Sequence, residues 1–151
     1  MPERKTIERA RQAKKEGKSA STQAGEFVRE EIDHIRQGKH GARSTKQAIA
    51  IGLSKARRAG VKLAPPEKGS VSEGTRRKAV RDAEMARSGS RRRNPSGRRA
   101  RATTQALKRE SQTAASRESL SKQTTFAAHR RSRAERSRAG RKAAQTRARN
   151  R

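Results

Sequence analysis

The chain has no cysteine, tryptophan or tyrosine, and Phe27 and Phe126 are its only phenylalanines. The absence of cysteine removes disulfides, thiolate metal sites and cysteine nucleophiles. With so few aromatics and only 28% hydrophobic residues, a full-sized core is out of reach for 151 residues. No apolar run is long enough to span a bilayer, and the opening MPERKTIERARQAKKEGKSAS has no stretch of signal-peptide length. The expectation is a cytoplasmic protein with no membrane partner. Motifs for chemistry are missing as well. There is no glycine-rich phosphate loop, no nucleophile elbow and no carboxylate pair in an apolar setting, so neither an enzyme nor a cofactor is expected. His34, His40 and His129 lack ligand spacing, and His34 reads as the i, i+4 partner of Glu30, so no metal is expected either.

Acidic residues are scarce, and scarcer along the chain. Residues 1–40 carry ten Lys/Arg and seven Asp/Glu; 41–64 carry six and none; 65–100 eleven and four; 101–151 fifteen and three. The net charge is +28. Such a chain binds polyanions, of which DNA and RNA are the abundant cellular examples. Single-strand readers stack bases on aromatic side chains, and two phenylalanines make a poor platform, which favours duplex DNA.

Against this background one segment has helical order. From Gln23 to Gln37 the apolar positions Ala24, Phe27, Val28, Ile32 and Ile35 recur at helical spacing, with Glu26, Arg29, Glu30, Asp33 and Arg36 opposite. Ser21 or Thr22 is the expected cap and Gly38 the stop. Ser44-Thr45-Lys46-Gln47 reads as a capping box, starting a helix to about Ala59 that Gly60 ends, with Val61 as its closing contact. On that helix Ile49, Gly52, Leu53 and Ala56 share one face, with Lys55, Arg58 and Ile51 on the other. The fold class expected is all-α: a helical hairpin over 21–63 that needs a homodimer or other segments to complete its core. A mixed-charge arm, 1–20, precedes it. A linker, 64–101, with a short helix at 75–87, and a basic tail, 102–151, follow. The tail is expected to be largely disordered or helical only on phosphate.

GEFVREEIDHIRQGKHGARSTKQAIAIGLSKARRAGVK, residues 25–62, resembles a family of small, very basic bacterial proteins of unknown function. Their shared core joins an acidic helix, a Gly-Lys-His turn (here Gly38-Lys39-His40) and an Arg-Ser-x-Lys-Gln-Ala-Ile-Ala-Ile-x-Leu-Ser-x-Ala helix (here Arg43 to Ala56). The labels plasmid stabilisation and DNA-binding, attached to some members, imply a nucleic-acid partner. The tail is similar to linker-histone tails in composition.

The candidate phosphate contacts follow from charge. Around the second helix they are Arg43, Ser44, Lys46, Lys55, Arg57, Arg58 and Lys62, with the helix N-terminus at Ser44 and Thr45 offering N–H groups to a phosphate. In the linker they are Arg91, Arg92, Arg93, Arg98, Arg99 and Arg101; in the tail, Arg130, Arg131, Arg133, Arg136, Arg138 and Arg141. The function expected is non-sequence-specific binding and compaction of DNA in the nucleoid. The alternatives are an RNA- or ribosome-associated role, and a hairpin that docks a protein while the tail holds nucleic acid.

Overall fold

The structure is a computed structural model and describes residues 2–88 and 96–149. These residues are all-helical, with no strand among them. The order is α1 (Arg4–Lys15), α2 (Ala20–Arg36), α3 (Thr45–Arg58), α4 (Glu73–Arg87), α5 (Gly97–Lys108), a 3-10 turn (Gln112–Ala115), α6 (Arg117–His129) and α7 (Arg133–Arg149).

α2 and α3 pack on each other as the hairpin periodicity requires. Their backbones approach closely at Gly52, where a Cβ would stand 2.7 Å from Val28 Cα. The turns are set by glycine. Gly38 (φ +72°) follows the α2 C-cap, its N–H bonding Ile35 O while Lys39 N–H bonds His34 O. Gly60 (φ +88°) repeats the arrangement after α3, with Val61 N–H on Ala56 O. Both are left-handed closures that use up terminal carbonyls, and glycine adopts them without strain.

The small core has two parts. Ala24 and Phe27 of α2 meet Ala10 of α1 and Ala56 of α3, flanked by Ile7, Leu53, Val61 and Leu63. Further along α2, Ile32 and Ile35 meet Ala42, Ala48 and, from the 3-10 turn, Ala114 and Ala115, with Val28 and Leu120 at the edge. Complete burial of Phe27 and Ile35 contributes about 1.5–3 kcal/mol each. Other segments of the same chain thus cover the hairpin that could not fold on its own area.

Several expectations are corrected here. The mixed-charge arm at residues 1–20 carries α1, whose Thr6, Ala10 and Ala13 are buried. Ser19, not Ser21 or Thr22, caps α2, accepting from Thr22 N–H. Residues 102–149, the described part of the expected tail, are not largely disordered; they are helical in place, and the 3-10 turn seats on α2 and α3 because its two alanines fit the gap beside Ile35 and Ala48. The helix expected at 75–87 is α4, begun two residues earlier by Ser72 and Glu73. Even so, α5, α6 and α7 bury no residue. The chain exposes 11737 Å², against roughly 7,600 Å² for a compact monomer of 16.7 kDa, so the C-terminal helices lie open to solvent.

Candidate nucleic-acid interface

The sequence places cations on both faces of α3, and the fold sorts them. Lys55 points inward, its Nζ 2.7 Å from Glu31 and 3.3 Å from Glu30. Both carboxylates are buried rather than on an outer face, and an ammonium is what makes their burial tolerable. Glu30 illustrates the balance. Burial, the largest single influence, raises its pKa, but hydrogen bonds from Thr6 and the Glu3 N–H, with the charge of Lys55, together hold it below the ordinary carboxylate value. Arg57 is also buried; its Nη2 donates to Ala64 O at 3.2 Å, and burial lowers its pKa against the opposing pull of Asp82. Lys55 and Arg57 are therefore fold residues, unavailable to a phosphate.

The start of α3 is capped by its own side chains. Ser44 Oγ accepts from Gln47 N–H at 3.2 Å, and the Gln47 side chain accepts from Arg43 N–H at 2.8 Å, one residue before the donor of a standard capping box. Thr45 Oγ1 donates to Ala114 O at 2.7 Å and is buried. The Thr45 hydroxyl is thus taken up by the fold, while Ser44, accepting as the N-cap, stays exposed. Arg43, Lys46, Arg58 and Lys62 remain exposed, Arg43 with Glu110 at 3.9 Å.

Lys46 joins the tail. Its Nζ lies 4.5 Å from the centroid of the Phe126 ring on α6, and Arg130 Cζ is 5.9 Å from the same ring. Phe126 is 48% exposed. The structure thus brings two predicted cations from distant segments to one half-exposed aromatic ring, a cation–π arrangement. Arg98, Arg99, Arg101, Arg131, Arg133, Arg136, Arg138 and Arg141 are exposed on α5, on α7 and in the turn before it; among the described residues none is within 4 Å of a carboxylate, although Arg138 and Arg131 act on Glu135 at longer range. Arg91, Arg92 and Arg93 lie outside the described residues.

Residues 3–68 match the model of a family described as "Family of unknown function (DUF6496)". The matched segment takes in α1, α2 and α3 and stops short of α4, so the cation-bearing helices α5–α7 lie beyond it. No curated protein and no solved structure matches the chain.

Two groupings escape a reading of the sequence alone. Lys18, Ser19, Ser21 and Thr22 at the start of α2 face Lys142, Arg147 and Arg149 of α7 across a cleft of 960 Å³. Arg149 Nη2 donates to Gly17 O there at 3.0 Å, a contact 132 residues apart with no local signal. The second is Glu31 with His34 and His40, whose ligand atoms lie within 4.8 Å of one another. The Glu-x-x-His spacing on α2 was visible in the sequence; the approach of His40 depends on the turn at Gly38. Among the described residues no helix is long and apolar enough to cross a membrane.

Proposed function

We propose that the protein binds nucleic acid without reading its sequence, most tightly duplex DNA, and draws it together by neutralising phosphates. The observation that carries this reading is the exposed cation array on α5–α7. These helices bury nothing, and residues 101–151 hold fifteen Lys/Arg against three Asp/Glu. A surface kept open at the expense of burial has a use for its charge, and phosphate contacts of this kind position without specifying sequence. The three-helix unit formed by α1–α3 anchors the array, and Lys46 extends it onto the hairpin. The nucleoid is the compartment this reading implies.

One observation favours a second reading, RNA. Phe126, half-exposed beside Lys46 and Arg130, is an aromatic ring of the kind on which an unpaired base stacks, a contact that duplex phosphates do not need. A competition titration of the full chain, with labelled duplex DNA against unlabelled duplex and structured RNA at several salt concentrations, separates the two. The expected result is preference for duplex DNA. Equal or tighter RNA binding that drops in Phe126→Ala moves the assignment to RNA. Weak, salt-insensitive binding to both rejects a nucleic-acid role and turns attention to a protein partner for the hairpin.

A further inference from the structure

The Glu31–His34–His40 grouping has no role in the cation array. Glu31 and His34 are i, i+3 neighbours on one face of α2. The left-handed Gly38 reverses the chain and returns His40 to them, its ring edge-on to that of His34 with centroids 6.2 Å apart. Glu31 is 1% exposed, and neither carboxylate oxygen has a hydrogen-bond partner, although Lys55 lies within ion-pair distance of Oε2. Lys55 is shared with Glu30 and sits on Oε2, which leaves the buried Oε1 able to take a further positive group.

The histidine geometry says what kind. His40 Nδ1 is 3.1 Å from Gly41 O. A carbonyl only accepts, so Nδ1 carries the proton, and in the neutral ring Nε2 presents its lone pair. That lone pair faces Glu31 Oε1 at 3.4 Å. Two ligand atoms on one tetrahedral zinc ion, each about 2.0–2.2 Å from the metal, stand about 3.3–3.5 Å apart. A ring nitrogen held by a backbone carbonyl on its far side is also the usual way a metal-binding histidine is oriented. Lys55 on Oε2 leaves Oε1 for the metal. Glu3 Oε1, 2.9 Å from His34 Nε2, orients the other ring.

We propose that Glu31, His34 and His40 bind one divalent transition metal of the zinc type. Two imidazoles and a carboxylate suit zinc better than magnesium or calcium, which prefer oxygen alone. The surroundings favour a cation despite the +28 chain. Among the described residues, the Lys or Arg side chains within ion-pair distance of Glu3, Glu30 and Glu31 are Lys39 and Lys55, three carboxylates against two ammonium groups. The histidine side chains are 15% and 17% exposed, leaving a route in and a position for water. The metal clips α2 to the turn before α3. On that turn Gly41 N–H bonds Leu107 O and Ala42 N–H bonds Ser111 O. In a chain with so small a core, such a clip adds to folding stability.

The test uses the full chain, prepared without a polyhistidine tag and stripped with chelator. Titration with Zn²⁺ against a chromophoric chelator is expected to show one site per chain, and the melting temperature rises with Zn²⁺ and returns with chelator. His40→Gln and His34→Gln each weaken binding by at least about 100-fold, since loss of an orienting partner alone costs up to that much. His129→Gln, exposed on α6, leaves binding unchanged. Co²⁺ in the unmodified chain gives the intense visible bands of tetrahedral coordination, a readout that does not depend on any variant folding. Absence of a stoichiometric site, an octahedral cobalt spectrum, or binding indifferent to His40→Gln overturns the proposal. Indifference would mean that His40 is a protonated partner of Glu31 only.

Discussion

Gly52 shows how little freedom a single residue has in this core. A methyl group there meets the α2 backbone at Val28, so neither partner side chain can turn aside. Gly52→Ala is expected to cost about 1–3 kcal/mol in denaturant unfolding, the usual range for overpacking. Lys55 is bound to the fold in a different way. Lys55→Ala strands two buried carboxylates and is expected to cost about 3–5 kcal/mol. The same change leaves the salt dependence of DNA binding unaltered, because Lys55 does not reach solvent phosphates. Lys46→Ala is expected to do the reverse: stability is retained, and the slope of log K against log salt becomes shallower by about 0.9. Measuring both variants by both methods checks the sorting of cations residue by residue.

At the scale of elements, serine starts most of the helices: Ser19, Ser44, Ser72, Ser96 and Ser116 each accept a first-turn N–H. α7 begins with a reciprocal pair, Glu135 N–H on Ser132 Oγ and Ser132 N–H on Glu135. The Ser132 N–H is the main reason the Glu135 pKa lies below the ordinary value. A depressed folded-state pKa means that the cap contributes at pH above the unfolded carboxylate value, about 4.3. It is lost as pH falls through the lower, folded value. Helix content by circular dichroism should therefore fall on acidification, and by less in Glu135→Ala, which starts without that cap. The sequence made the α2–α3 pair legible because Phe27, Ile32, Ile35, Ala48 and Ala56 repeat at helical spacing between glycine stops. It hid α1 as a packing element, since Thr6, Ala10 and Ala13 are too small to mark a face. It also hid the inward turn of Lys55 and Arg57. Their orientation depends on acids and carbonyls brought up from other elements, Glu30, Glu31 and Ala64, which no local pattern reports.

At the scale of the whole molecule, charge and burial are separated along the chain. Packing is concentrated in α1–α3 with the 3-10 turn, and open charge in α5–α7. Deleting residues 133–151 is expected to leave the melting temperature nearly unchanged, because α7 buries nothing, while DNA affinity falls steeply with the loss of eight Lys/Arg. The central claim is that outward cations serve phosphate and inward cations serve the fold. The most direct measurement compares the salt dependence of duplex DNA binding by the full chain with that of a variant in which Arg133, Arg136, Arg138 and Arg141 are all glutamine. For 8–12 neutralised phosphates the full chain should show a slope of roughly −7 to −11. The variant should be shallower by about 3.6, at 0.9 per lost contact, with its unfolding transition in place. An unchanged slope would contradict the account, because these arginines would then be surface charge that no phosphate meets.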